Sequence, residues 1–159
     1  MKITIITVGK IKENYLKDAI CEYSKRLSRY CKLNIIELAD EKTPDNASQR
    51  EEELIKEKEG QRIMAQIKSD SYVIALSLNE KEFDSPTFSN KIQQLGVNGV
   101  NHITFIIGGS IGIAKNVLDY SNECVSFSKL TFPHQLMRVI LLEQLYRSFK
   151  IATNEPYHK

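Results

Sequence analysis

Five short apolar runs recur along the chain, each followed by a segment whose apolar residues fall at helical spacing. The first, Lys2 to Val8, is nearly all β-branched and is ended by Gly9, the composition of a buried strand. Lys32 to Leu38, Tyr72 to Leu78, His102 to Ile107 and the brief Val125 to Phe127 repeat the pattern. Between them, Glu13 to Arg29 carries apolar or aromatic residues at 15, 16, 19, 20, 23, 27 and 30, one face of a helix. Asp40 to Ser48 is a polar, proline-containing loop. Ser48 then precedes Glu51 at capping-box spacing and opens a charged helix reaching Ile67, with Gly60 in its middle marking a bend or close packing. Ser85 followed by Pro86 predicts an N-cap and a first-turn proline for a helix stopping at Gly96. A short helical piece covers Ala114 to Tyr120, and Phe132-Pro133 starts a long last helix running to about Lys150. The order is strictly alternating β and α. That predicts one α/β domain over residues 1–159, a parallel sheet flanked by helices.

The last helix adds something the others do not. Leu136, Met137, Val139, Ile140, Leu141, Leu142, Leu145, Tyr146 and Phe149 leave no wide polar stripe, so the helix is expected to be buried on both sides. Its second side is expected to meet a second subunit, with a charged residue at Leu141 or Leu145 breaking a homodimer. The tail from Lys150 to Lys159 would then emerge near the partner.

Composition changes the picture only modestly. The hydrophobic fraction of 42% and charged fraction of 26% are those of a globular domain. No apolar run approaches the roughly 20 residues of a membrane span. The N-terminal MKITIITVGK reads as a strand, not a signal peptide, and a cytoplasmic location is expected. Three cysteines, Cys21, Cys31 and Cys124, without CxxC spacing read as buried or half-buried thiols in a reducing compartment. Net charge is +2 overall, yet residues 1–40 and 126–159 are each +3 and residues 41–125 are −4. A polyanionic partner should meet the two ends.

Candidate chemistry concentrates between His102 and His134. Gly108-Gly109-Ser110-Ile111-Gly112 follows a strand and precedes a helix, and Ser128 to Pro133 does the same. Two such loops mark the place where an open α/β sheet holds a ligand. Ser110 and Ile113 stand where a dinucleotide fingerprint needs glycine, and no P-loop lysine is present. The glycine run alone serves a tight turn as well as a ligand loop. His102, His134 and His158 lack metal-binding spacing, and no Gly-x-Ser-x-Gly elbow supports acyl chemistry. His134, just inside a helix start, reads more as a structural hydrogen-bonding residue than a catalyst, and Lys129, Arg138, Arg147 and Lys159 read as phosphate contacts or as solvated charges.

Resemblance carries the reading further. FIIGGSIG, then SFSKLTFPHQLMRVILLEQLYRSFKI, then a terminal EPYHK, with MKITIITVGK at the start and KEGQRI around Gly60, resembles the RlmH-type ribosomal RNA large subunit methyltransferases of the SPOUT class along the whole chain. The resemblance implies an α/β-knot fold with a C-terminal trefoil knot, a homodimer, and S-adenosyl-L-methionine as cofactor. It implies methylation of N3 of a pseudouridine in the helix 69 stem-loop of 23S rRNA, on the assembled ribosome and without metal or membrane. By position it assigns cofactor contacts to Leu76, Gly108, Phe127, Ser128, Lys129, Leu130, Thr131 and Phe132. Tyr157, His158 and Lys159 become the substrate-positioning and proton-handling candidates, with His134 second. Lys159 stands where some relatives carry arginine, a point charge in place of a bidentate fork. An enzyme of the same class acting on tRNA and a non-catalytic ribosome-associated module are the competing readings.

Overall fold

The computed structural model describes residues 1–159 as β1 (Lys2–Val8), α1 (Asn14–Leu27), β2 (Lys32–Leu38), α2 (Gln49–Met64), β3 (Tyr72–Glu82), α3 (Ser85–Val97), β4 (His102–Ile107), α4 (Lys115–Tyr120), β5 (Glu123–Ser126) and α5 (His134–Ala152). The strands form one sheet in the order β2-β1-β4-β3-β5, and every pair is parallel. From β1 the chain steps out to β2, crosses to β3, steps back to β4 and passes over β3 to reach β5. Right-handed crossovers put leftward and rightward connections on opposite faces. Accordingly α1, α3 and α5 cover one face, packed on Ile3, Ile5, Ile103 and Phe105, while α2 and α4 cover the other, packed on Ile6, Val8, Ala75 and Ile106. The period-two alternation along β1 and β4 supplies both cores. β4, at the centre, is buried at every residue.

Local chemistry explains most element ends. The Ser48 side chain accepts from Glu51 N–H while Glu51 reaches back to Ser48 N–H, the reciprocal cap predicted from the sequence. α2 ends at Met64, one turn before Ile67. The cap of α3 is Asp84, whose carboxylate accepts from Thr87 N–H at 2.7 Å; Ser85, expected there, is the first helical residue and instead bonds Gln144. Gly96 lies inside α3, and the left-handed turn falls on Gly99.

α5 departs from expectation in an informative way. It lies between α1 and α3, and Leu141, Leu142 and Leu145 are fully buried in the sheet-facing core. A charge at Leu141 or Leu145 would therefore attack the fold itself, not a subunit contact. Met137, Tyr146 and Phe149 pack against the edge of that core, whereas Leu136, Val139 and Ile140 belong to neither core cluster. Leu136 is exposed and Val139 and Ile140 are half-buried, and together they form an apolar stripe outside both cores.

Buried Arg138 fastens α5 to the sheet. It donates to Val8 C=O at 3.0 Å and Gly9 C=O at 2.6 Å, and pairs with Glu37 at 2.7 Å. Charge-assisted bonds to orphan strand-end carbonyls offset much of the cost of burying a guanidinium.

Candidate functional site

An irregular stretch within β3 and the loops at the C-terminal ends of β4 and β5 enclose a cavity of about 580 Å³. Each arises differently. β3 parts from β5 after Leu76, where the register shifts before pairing resumes at Lys81. Asn79 in that interval has φ 62, a left-handed conformation that asparagine tolerates better than most residues. This bulge leaves Ser77 and Leu78 at the cavity mouth. β4 ends in the glycine loop, closed by an antiparallel bridge between Gly109 and Gly112. Gly108 is tightly enclosed there: a Cβ would lie 2.7 Å from Gly112 C=O and 2.7 Å from Ile113 Cγ1. The loop after β5 is stitched internally, with Ser126 Oγ donating to Ser128 C=O at 2.9 Å and Leu130 N–H donating to Ser128 Oγ at 2.9 Å.

Of the residues singled out from the sequence, Leu76, Gly108, Phe127, Ser128, Leu130, Thr131, Phe132 and His134 all line this cavity, whereas Lys129 does not. Reasoning from sequence missed Ser77 and Leu78, Ser126 and Met137. Asn79 directly behind an apolar run was the available signal for the first two. Met137 follows from His134 by helical spacing, one turn into α5.

The lining has a definite chemical character. Leu76, Ile107, Val125, Phe127, Phe132 and Met137 give apolar walls, and serines and glycine-loop backbone supply the polar groups. No lysine, arginine, aspartate or glutamate lines the cavity. His134 is its one titratable side chain. Burial, then the nearby Arg138 charge, pushes the imidazole below its ordinary pKa, with Asp40 opposing, so the ring is neutral near pH 7.

Tyr157, His158 and Lys159 do not join the cavity of their own chain. Tyr157 packs edge-on against Tyr146 with ring centres 4.9 Å apart, donates to Glu143 Oε1 at 3.1 Å, and carries the Arg147 guanidinium 4.7 Å above its ring. His158 Nδ1 lies 3.3 Å from Arg147 Nη1. Upstream, Glu155 accepts from Tyr30 and Thr153 at 2.9 Å each and pairs with Lys150. The Lys150 contact first, and these hydroxyls after it, hold its carboxyl down at about 2. The tail is thus laid along the C-terminal half of α5 and against Tyr30, just beyond the end of α1.

The three cysteines differ from one another: Cys31 is buried, Cys124 half-buried and Cys21 exposed, the last against expectation. No group of three or more His, Cys, Asp or Glu side chains is arranged to hold a metal, and no helix is long and apolar enough to cross a membrane.

Comparison with known protein sequences gives the family. The profile described as predicted SPOUT methyltransferase covers residues 1–158, and the chain belongs to that family. Similar proteins named ribosomal RNA large subunit methyltransferase H occur in Clostridium beijerinckii (64% identical), Clostridium tetani (62%) and Bifidobacterium adolescentis (59%), each aligned over 159 residues and 100% of both chains.

Proposed function

We propose that this protein is an S-adenosyl-L-methionine-dependent ribosomal RNA methyltransferase that modifies N3 of a pseudouridine in the helix 69 stem-loop of 23S rRNA on the assembled ribosome. One observation carries the reading: a cavity at the bulge of β3 and the ends of β4 and β5 that offers apolar walls and exposed backbone, with a neutral histidine and no charged side chain. Such a lining suits a nucleoside with a flat base and no phosphates. A phosphorylated cofactor would call for basic side chains or a P-loop lysine, and neither is present. The relatives' names supply the class of substrate, and full-length similarity supports carrying it to this chain.

Within that reading, Leu76, Phe127 and Phe132 would hold the apolar part of the nucleoside, and Gly108, Ser128, Leu130 and Thr131 would offer it backbone polar groups. Lys129, exposed and outside the cavity lining, is left free to meet RNA. The cofactor, when bound, supplies a methyl group already activated on a sulfonium. The protein's part is to align the acceptor nitrogen and remove its proton, largely a positioning task. His134 is suited to the proton because its ring is neutral and can accept at a ring nitrogen. Tyr157, His158 and Lys159, held along α5, would serve the cavity of a partner chain in a homodimer built on Leu136, Val139 and Ile140. The +3 charge of each chain end then faces the RNA backbone.

The test uses labelled S-adenosyl-L-methionine with ribosomes from cells lacking this activity, with free 23S rRNA and with tRNA in separate reactions. Label at N3 of a 23S pseudouridine, from ribosomes alone, is the expected result. Label in tRNA, or none from any substrate despite cofactor binding, would overturn the substrate assignment.

A further inference from the structure

The sequence KEGQRI around Gly60 has no part in the cavity lining, yet it lies directly behind the glycine loop. Glu59 on α2 is 4% exposed. Its Oε1 accepts from Glu41 N–H at 3.0 Å, while its Oε2 is buried without a hydrogen-bond partner. A Cβ on Gly109 would lie 3.0 Å from Oε2, 3.4 Å from Oε1 and 3.2 Å from Val8 Cγ1. The carboxyl group therefore occupies the space beneath the loop that any larger residue at 109 would need.

Gly60 brings the carboxyl there. A Cβ at Gly60 would lie 2.8 Å from Ala114 Cβ, 3.2 Å from Asn116 Oδ1 and 3.3 Å from Val117 Cγ2. The missing side chain lets α2 press against the segment that leaves the glycine loop and enters α4. Glu59 and Gly60 thus hold both limbs of residues 109–117, one by filling and the other by yielding. On the far side, Glu59 ties down the loop after β2 through Glu41, which is itself held by Arg62.

A buried carboxyl with one oxygen unpartnered is costly, since an unsatisfied polar atom forfeits the hydration it had in the unfolded chain. A hydrophobic residue of similar size would fill the same space at lower cost. We propose that Glu59 is a positioning residue for the cofactor cavity, its carboxyl group fixing the glycine loop at the height where Gly108 and Gly109 form the cavity wall. The inference rests on reading that cavity as the methyl-donor site, but the clamp itself is testable without ligand.

The experiment compares amide hydrogen exchange of residues 108–113 in ligand-free wild type, Glu59→Ala and Glu59→Gln, followed by calorimetric titration of S-adenosyl-L-methionine into each. Glu59→Ala should speed exchange in the loop about tenfold, because the packing beneath Gly109 is lost and a cavity is left in its place, while β1 and β4 amides stay unchanged. Cofactor binding should weaken by a similar factor, and Glu59→Gln, which preserves shape and the bond to Glu41 N–H, should restore both. Should Glu59→Ala fail to fold, Glu59→Asp, which withdraws the carboxyl by one methylene, makes the same comparison. Unchanged loop exchange in Glu59→Ala, or equal acceleration in Glu59→Gln, overturns the inference. A wild type that binds no cofactor while Glu59→Ala still loosens the loop would uphold the clamp and reject the methyl-donor reading.

Discussion

Burial sets the behaviour of single side chains here, and two of them give direct tests. Cys31 is 8% exposed and its thiol is pushed up to about 11 by burial, while Cys21 is exposed. Iodoacetamide near pH 8 should therefore modify Cys21 first and Cys31 last, because only the thiolate reacts; equal rates by peptide mass spectrometry would contradict the packing of Cys31. Glu59 is the second case. Burial first, with Asp40 and Glu41 adding to it and the Glu41 N–H and Arg62 opposing, raises its carboxyl above the ordinary range. A raised carboxyl stabilises the fold at pH below its unfolded value, and that contribution is lost as pH rises through the folded one. Glu59→Gln should then match wild type near pH 4.5 and melt higher than wild type near pH 8; a difference that does not grow with pH would contradict a buried, titrating carboxyl. At this scale the cavity residues were legible where glycine and apolar types are themselves the chemistry, as at Gly108 and Phe127. Glu59 was not, because an acidic residue in so charged a helix reads as solvated until the fold buries it. Nor was the outward course of Lys129, which depends on how the loop after β5 closes on itself.

Among the elements, α5 carries the most separable roles. Leu145→Asp should unfold the domain, since an uncompensated charge in that core costs more than about 4 kcal/mol. Ile140→Asp, on the stripe outside both cores, should leave the melting temperature of the monomer within a few degrees and abolish any dimer seen by sedimentation. A dimer that survives Ile140→Asp would remove this stripe as the interface. Deleting Tyr157 to Lys159 should abolish methyl transfer while cofactor titration stays unchanged, because the tail is pinned at Glu155 and Tyr30, upstream of the cut; full activity without the three residues would end their catalytic assignment. Helices and strands were readable from periodicity, and the Ser48 cap from its spacing. The α3 cap was not, because Asp84 and Ser85 are both good caps and only the backbone turn decides between them. An apolar helix likewise does not say which side meets the sheet; Arg138, bonded to the end of β1, fixes that rotation.

At the scale of the whole molecule, alternating β and α units announced a parallel sheet, but not its strand order. The crossing of β5 over β3 is what brings the β3 bulge and the loops after β4 and β5 together around one cavity, and it depends on long-range pairing that periodicity does not encode. The charge asymmetry, by contrast, was plain in the sequence. The central claim is that this cavity holds the methyl donor. It is tested most directly by a crystal structure with S-adenosyl-L-methionine. Density for the cofactor bounded by Leu76–Leu78, the loop of residues 108–113 and the segment 126–133, with His134 facing its methyl group, is the expected result. A cofactor bound elsewhere on the protein, or a cavity that stays empty at saturating concentration, would contradict the account.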